Sequence, residues 1–188
     1  KSGLVHYAEP NLSATAPDQA INPTDYLRPE QWHIDLVNLP DAWQTLRNNN
    51  AAGVNPGDPG DKTFGSEDVV IAVLDRGIQS TTTGGVTTAA HADFNGAVTG
   101  GDSKVAHFID FNSMTLDNDN PPNNHGMGCS GVAGGLANNP SGIGGIRMGI
   151  VGAAPNCRMI GAIRPSPVST QQYADAFVWL AGFNPGWT

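Results

Sequence analysis

The feature that most constrains the fold is a continuous apolar run at residues 69–74, which ends at Asp75. The run is mostly β-branched, and such a run is typical of a strand buried on both faces of a parallel sheet. Open α/β sheets bind their ligands at the carboxyl ends of the strands. The sequence therefore predicts that Asp75 lies at the edge of the sheet where ligands bind.

A second segment, residues 123–134, contains His125 followed by small residues without charge. Small residues allow a helix to pass close to neighbouring backbone, so we predict a buried central helix with His125 at its start. A carboxylate at a strand end is then followed along the chain by a histidine at a helix start. This is the order of the first two members of an Asp-His-Ser catalytic triad.

The same two segments resemble the signature motifs of subtilases, the subtilisin-like serine proteases. The run ending in Asp75-Arg76-Gly77 is similar to the family's Asp motif, and the segment from His125 to Gly134 is similar to its His motif. Further similar segments follow the family's order, and they are residues 31–34, 39–43, 91–94 and 138–156. The resemblance covers roughly residues 30–188. Cys129 and the segment 176–185 indicate the kexin-like and other cysteine-containing branches.

The resemblance implies an α/β subtilisin-like fold in three layers with a mostly parallel central sheet, of which this chain carries the N-terminal part. It implies that Asp75 orients His125 and stabilises its imidazolium, while His125 acts as the general base. The expected reaction is hydrolysis of peptide bonds in a protein or peptide substrate through an acyl-enzyme.

Two segments are expected along the chain. Residues 1–30 lack periodicity and are predicted to form an extended arm, in which residues 4–11 resemble the pro-domain junction of subtilases. That likeness implies zymogen processing. Residues 31–188 are expected to form the N-terminal part of the catalytic domain, which is incomplete and is continued by another segment.

The nucleophilic serine of the family lies in a Gly-Thr-Ser stretch, and this sequence contains none. We therefore expect a second polypeptide or a C-terminal fragment to supply the serine and the oxyanion-hole asparagine. That segment would dock against an unpaired edge strand of the sheet. A catalytically inactive binding or scaffold protein is the open alternative, because Arg76 and Met127 replace the usual residues of the two motifs.

Asp93 and Asn138 match positions that often bind a structural calcium in subtilases, since calcium prefers hard oxygen ligands. Backbone carbonyl groups near Leu136, Ser141 and Ile143 would complete such a cage. Ordinary loop residues are the alternative, and no catalytic cofactor is expected.

Cys129 lies one helical turn after His125 on the same face of the predicted helix. We expect it, like Cys157, to be a small buried core residue rather than a nucleophile. A disulfide between the two cysteines stays open. A metal enzyme that uses Asp75, His125 and Cys129 is a further alternative.

The formal net charge of −8 argues against nucleic acid or an anionic membrane as a partner. No apolar run approaches the roughly 18 residues of a transmembrane helix. The first residues do not resemble a signal peptide, so we expect a mature secreted, periplasmic or extracellular form. The glycine-rich run at residues 142–146 lacks the spacing of a phosphate-binding loop, which argues against nucleotide binding.

The remaining predicted elements are a helix at 40–47, strands at 105–111 and 158–163, a loop at 79–90, and a helix that begins near Ser169 or Thr170. Tyr173, Phe177, Leu180 and Ala181 are predicted to form the buried face of that last helix. Alternation of strands and helices favours a parallel α/β sheet.

Overall fold

The computed structural model describes residues 21–25, 27–55, 58, 60–98, 101–117, 119–122, 124–138, 149–166 and 169–182. Most of the predicted N-terminal arm, including residues 4–11, lies outside the described residues. The described end of that segment contains a 3-10 helix, Arg28–Glu30. Ile21 packs there against a cluster of Ile34, Trp43 and Val151, so this part of the chain contributes to a core.

Six strands and four α-helices make up the described fold. The strands are β1 (Val70–Asp75), β2 (Ser80–Thr83), β3 (Val86–Ala89), β4 (Val105–Asp110), β5 (Thr115–Leu116) and β6 (Arg158–Ile163). The helices are α1 (Trp32–Leu36), α2 (Leu39–Asn48), α3 (Asn124–Gly134) and α4 (Thr170–Leu180). Among the described residues, none of these helices has the length and apolar character needed to cross a membrane.

The central sheet has the strand order β1-β6-β4-β5. Both β1 and β4 run parallel to β6, and only the short β5 is antiparallel. Asp75 and Asp110 both align with Ile163, so the carboxyl ends of the three parallel strands meet at one edge. The predicted α/β fold with a mostly parallel sheet is confirmed.

Helices cover both faces of this sheet. Successive residues of a strand point to opposite faces, and β6 follows this rule. Met159 belongs to a core cluster that includes Ala133 of α3, whereas Ile160 and Ala162 belong to a cluster that includes Trp179 of α4. The result is a three-layer arrangement with α3 on one side and α4 on the other.

Strand β1 is less buried than its sequence predicts. Val69 and Val70 are 50% and 45% exposed, and Ala72 is also exposed. In the part of the chain that the structure describes, β1 pairs with β6 on one side only. The prediction of burial on both faces is therefore wrong for this chain, because the face that carries Val70 and Ala72 is exposed whereas Ile71 and Val73 on the other face pack against a core cluster.

Helix α3 confirms the prediction of a helix with His125 at its start, and its small residues explain its close packing. A Cβ atom at Gly152 would lie 2.5 Å from the backbone nitrogen of Gly134, and one at Gly131 would lie 2.9 Å from Ile150 Cδ1. The helix is not buried all round, since Val132 is 46% exposed. Backbone contact on the buried side therefore fixes the position of α3.

The predicted helix at 40–47 is confirmed as α2, and the helix predicted near Ser169 is confirmed as α4. Ser169 caps α4 and forms a capping box with Gln172. The predicted buried face of α4 is partly wrong, since Phe177 is 60% exposed while Ala176 is buried. Trp179 and Leu180 pack against the sheet, so the buried face is rotated away from Phe177.

The loop predicted at residues 79–90 is instead a β-hairpin formed by β2 and β3. Its turn consists of Gly84 and Gly85, whose φ angles of +60° and +81° suit a two-residue hairpin loop. The flanking strands are rich in threonine, which is β-branched and favours strands. The threonines therefore signalled strands at a place where the sequence was interpreted as a loop.

Candidate active site

Asp75 is the last residue of β1, and the turn that follows it is tightly constrained. Gly77 has a φ of +75°, and a Cβ atom there would lie 2.8 Å from Ile163 Cγ1 and 2.9 Å from Asn120 Nδ2. The carbonyl oxygen of Asp75 accepts a hydrogen bond of 2.8 Å from the backbone N–H of Arg164. These contacts hold the Asp75 backbone at the carboxyl edge of the sheet, and its side chain is 17% exposed.

His125 is the second residue of α3, and its side chain meets Asp75. Its Nδ1 atom lies 2.6 Å from Asp75 Oδ2, and the imidazole is 72% exposed. A carboxylate only accepts hydrogen bonds, so Nδ1 carries the hydrogen and Nε2 presents a lone pair. The structure therefore brings the two predicted triad residues together, with the second ring nitrogen available to take a proton.

The described serines make no hydrogen bond to His125. Ser80 accepts a hydrogen bond from Asn120, Ser113 donates to Asp110, and Ser169 caps α4. Ser130, on the same helix as His125, is completely buried. In the described residues, the arrangement therefore contains a base and its orienting carboxylate without a serine nucleophile beside them.

Cys129 corrects a sequence expectation, because it is exposed rather than buried in the core. Its Sγ atom lies 3.8 Å from His125 Nδ1. Desolvation raises the pKa of the Cys129 thiol above its usual value, and a hydrogen bond and the negative charge of Asp75 raise it further. A raised pKa reduces the thiolate fraction at neutral pH, which argues against Cys129 as a nucleophile.

Cys157 is buried, as the sequence predicts, and both cysteines are free thiols. No disulfide joins Cys129 to Cys157, so that open alternative is excluded for this structure.

Asp75, His125 and Cys129 each offer a ligand atom, and these atoms lie within 4.8 Å of one another. Such a set has the chemistry to hold a transition metal ion. A metal on His125 Nδ1 would displace the hydrogen bond between that atom and Asp75. Metal binding through Nδ1 and the hydrogen bond that orients His125 are therefore mutually exclusive.

A cleft of about 300 Å³ opens beside the two residues. It is lined by Leu74, Asp75, Arg76, His125 and Arg164. Arg76 belongs to the predicted Asp motif, whereas Arg164, which directly follows β6, was not predicted to lie at the site. Arg164 occupies the same place after β6 that Arg76 occupies after β1, and the pairing of the two strands is what brings it into the cleft.

The structure gives the predicted calcium ligands separate partners. Asp93 is 4% exposed, and its Oδ2 atom accepts a hydrogen bond of 3.2 Å from the backbone N–H of Ile150. Asn138 Oδ1 accepts hydrogen bonds of 2.9 Å from both the backbone N–H and the hydroxyl of Thr24. Of the predicted carbonyl ligands, Leu136 is described, whereas Ser141 and Ile143 lie outside the described residues.

The model of the subtilase family matches residues 66–186, which is well over half of the chain. The matched segment contains β1, α3, β6 and α4, and therefore both Asp75 and His125. No curated protein matches the chain.

Proposed function

Since this chain belongs to the subtilase family, we propose that it supplies the Asp and His of an Asp-His-Ser triad in a serine endopeptidase. The family as a whole indicates a hydrolase of the serine protease class. The observation that carries the assignment of residues is the contact of 2.6 Å between Asp75 Oδ2 and His125 Nδ1. It occurs at the edge of the sheet where α/β proteins bind their ligands.

In this proposal Asp75 holds the imidazole in the tautomer that leaves Nε2 unprotonated. His125 Nε2 removes the proton of the serine hydroxyl as the serine attacks the peptide carbonyl, and Asp75 stabilises the resulting imidazolium. His125 then returns the proton to the leaving amine, and water hydrolyses the acyl-enzyme through the same base.

We propose that a second polypeptide or a C-terminal segment supplies the serine and the oxyanion-hole asparagine by extending the sheet at β1. The support is the outer edge of β1, which has no strand partner in the described part of the chain. Val70 beside it and Val132 on α3 are both about half exposed, at 45% and 46%. An added strand would satisfy the backbone of β1, and the chain that accompanies it would cover these side chains on the two faces of the sheet.

The test is labelling of the complete protein with a fluorophosphonate probe, followed by separation of the polypeptides under denaturing conditions. We expect label on the segment that carries the serine, and we expect His125→Ala to abolish it. In subtilisin itself, loss of the histidine lowers kcat by about 10⁶-fold. His107→Ala is the matched control, because His107 contacts Asp117 rather than Asp75, and it should retain the label.

Label on a residue of this chain would show that the nucleophile has been assigned to the wrong segment. If the complete protein takes no label, the second candidate, an inactive binding or scaffold protein, is favoured. The observation behind that candidate is Arg76, which stands after Asp75 where the family has a hydroxyl side chain.

We propose in addition that Asp93 and Asn138 share a structural calcium. The donor chemistry fits, because a buried carboxylate and an amide oxygen are hard ligands and a cation would neutralise the buried Asp93. Binding requires Asn138 Oδ1 to exchange its hydrogen bonds from Thr24 for the ion.

The exposed thiol of Cys129 beside His125 supports placing the chain in a cysteine-containing branch of the family, such as the kexin-like one. We also propose that the protein is processed from a zymogen, on the likeness of residues 4–11 to the pro-domain junction, and that the mature form is secreted, periplasmic or extracellular.

A further inference from the structure

We propose that Arg76 and Arg164 select peptide substrates with an acidic side chain close to the scissile bond. This inference rests on the proposed function, because it concerns the cleft in which His125 would act. It adds a substrate class that neither the fold nor the family match specifies.

The two arginines are brought together by the register of the sheet. Asp75 of β1 aligns with Ile163 of the parallel neighbour β6, so the next residues, Arg76 and Arg164, leave adjacent strands at the same level. A bridge between Arg76 and Ile163 and the hydrogen bond from Arg164 N–H to the Asp75 carbonyl oxygen hold the two backbones together.

Both side chains line the cleft that contains Asp75 and His125. The cleft is about 300 Å³ in volume and both arginines are exposed, so substrate groups can reach them. A peptide bond within reach of His125 Nε2 therefore has its neighbouring side chains next to two guanidinium groups.

The charges of the cleft favour an anion. Among the described residues that line the cleft, Arg76 and Arg164 contribute two positive charges and Asp75 contributes one negative charge. Asp110, the acidic residue that ends β4 at this edge, accepts hydrogen bonds from Asn112 and Ser113 in the described part of the chain. The lining residues thus carry a positive formal charge on a chain whose formal net charge is −8.

Arg164 is held for this task by a neutral partner. Its Nη1 atom donates a hydrogen bond of 3.2 Å to the Tyr173 hydroxyl on α4. A tyrosine hydroxyl positions the guanidinium without cancelling its charge, and the other N–H groups remain for a ligand. The planar guanidinium suits a carboxylate because it can donate two parallel hydrogen bonds to it.

The arginines have a second conceivable use, which is to stabilise the charge of Asp75. That use would change kcat for every substrate by the same factor and would produce no preference for a substrate side chain. The ratio of kcat/KM values for matched peptides separates the two uses, because it cancels any uniform effect on catalysis.

The experiment uses the complete protein and a series of peptides in which Glu, Gln or Lys is moved through successive positions on both sides of the scissile bond. We expect one position at which Glu is preferred to Gln by about tenfold in kcat/KM, since two partly exposed ion pairs contribute about that factor. Lys should be the poorest residue there. High salt should weaken the preference, because the charges are reached from solvent.

Arg76→Gln and Arg164→Gln should each lower the ratio of Glu to Gln at that position, and Arg76→Glu should shift the preference toward Lys. Arg47→Gln is the matched control, because Arg47 is an exposed arginine on α2 outside the cleft, and it should leave the ratio unchanged.

Cleavage of all peptides with no preference for Glu at any position would overturn this inference and leave the proposed function intact. A preference for Glu that survives in both Gln variants would also overturn it. Failure of the complete protein to cleave any peptide or to take the fluorophosphonate label would overturn the proposed function and this inference with it.

Discussion

At the scale of single residues, the buried Lys104 shows how a charge is retained in the interior. Its side chain is completely buried, and Nζ donates hydrogen bonds to the carbonyl oxygens of Pro155 and Cys157. Desolvation lowers the pKa of Lys104 from 10.5 to about 8. Burial therefore makes the charged ammonium form less stable in the folded protein than in water. The hydrogen bonds to two carbonyl oxygens offset part of this cost.

This depressed pKa makes stability depend on pH in a defined window. Between about 8 and 10.5 the unfolded chain binds a proton at Lys104 that the folded chain does not, so the free energy of unfolding rises with pH. The total rise is at most about 3 kcal/mol. Below this window both states are protonated, and the destabilisation by the buried charge is constant.

Denaturant unfolding of the complete protein and of its Lys104→Met variant, followed as a function of pH, measures this effect. The difference between the two free energies should change only inside the window, because other titrating groups are common to both proteins. A difference that is independent of pH would show that the pKa of Lys104 is not depressed.

Single residues also show what the sequence could and could not predict about the site. Asp75 and His125 were predictable because Asp75 ends a strand with a continuous apolar run and His125 lies at the start of a helix of small uncharged residues. The exposure of Cys129 could not be predicted. Helical spacing shows that Cys129 shares a face of the helix with His125, but it does not show whether other parts of the protein cover that face. Arg164 was missed because its position matters only once β6 is known to lie next to β1.

At the scale of elements, the turn after β1 depends on one glycine. Gly77→Ala should lower the free energy of unfolding by about 2 kcal/mol or more, since a positive φ and two close contacts both oppose a Cβ atom. Gly84→Ala is the matched control, because Gly84 has a positive φ with no atom within 4 Å of a Cβ there. It should cost only about 1 kcal/mol.

The midpoints of urea unfolding of the two variants in the complete protein measure these costs. Equal shifts for Gly77→Ala and Gly84→Ala would show that the contacts with Ile163 and Asn120 relax without cost. A larger shift at Gly77 would confirm that the turn beneath Asp75 is closely packed.

The positions of most helices and strands were predictable from patterns within their own residues. The exposure of their surfaces was not, because it depends on which other elements pack against them. The helices α2, α3 and α4 and the strands β1, β4 and β6 all follow from periodicity, apolar runs or capping residues. The exposure of β1 and of Phe177 depends on what covers them, which no local pattern encodes. The β2–β3 hairpin was missed because residues 79–90 contain Gly84 and Gly85 and lack the alternating apolar pattern of a half-buried strand.

At the scale of the whole molecule, the calcium proposal predicts a dependence of thermal stability on the ion. Chelation should lower the melting temperature of the complete protein, because a ligand that binds only the folded state stabilises it by about 2.7 kcal/mol at 100 times its Kd. Asp93→Ala should remove the response to chelator. Asp68→Ala is the control, since Asp68 is exposed and contacts only Ser66 among the described hydrogen bonds.

A melting temperature that responds to chelator equally in wild type and in Asp93→Ala would place the ion elsewhere. A wild-type protein that does not respond at all would remove the calcium proposal. In either case the contact between Asp75 and His125 would stand, because neither Asp93 nor Asn138 touches those side chains in the described hydrogen bonds.

The close approach of Gly152 to Gly134 has an evolutionary consequence. Helix α3, which carries His125, meets backbone at Gly152, and the side chains of Ile150 and Met159 lie directly against its glycines. A Cβ atom at Gly134 would lie 2.5 Å from Met159 Sδ, so neither partner of that contact can grow without moving the helix. Substitutions accepted during divergence should therefore avoid these glycines and the residues that touch them, and should accumulate in parts of the core that do not contact α3.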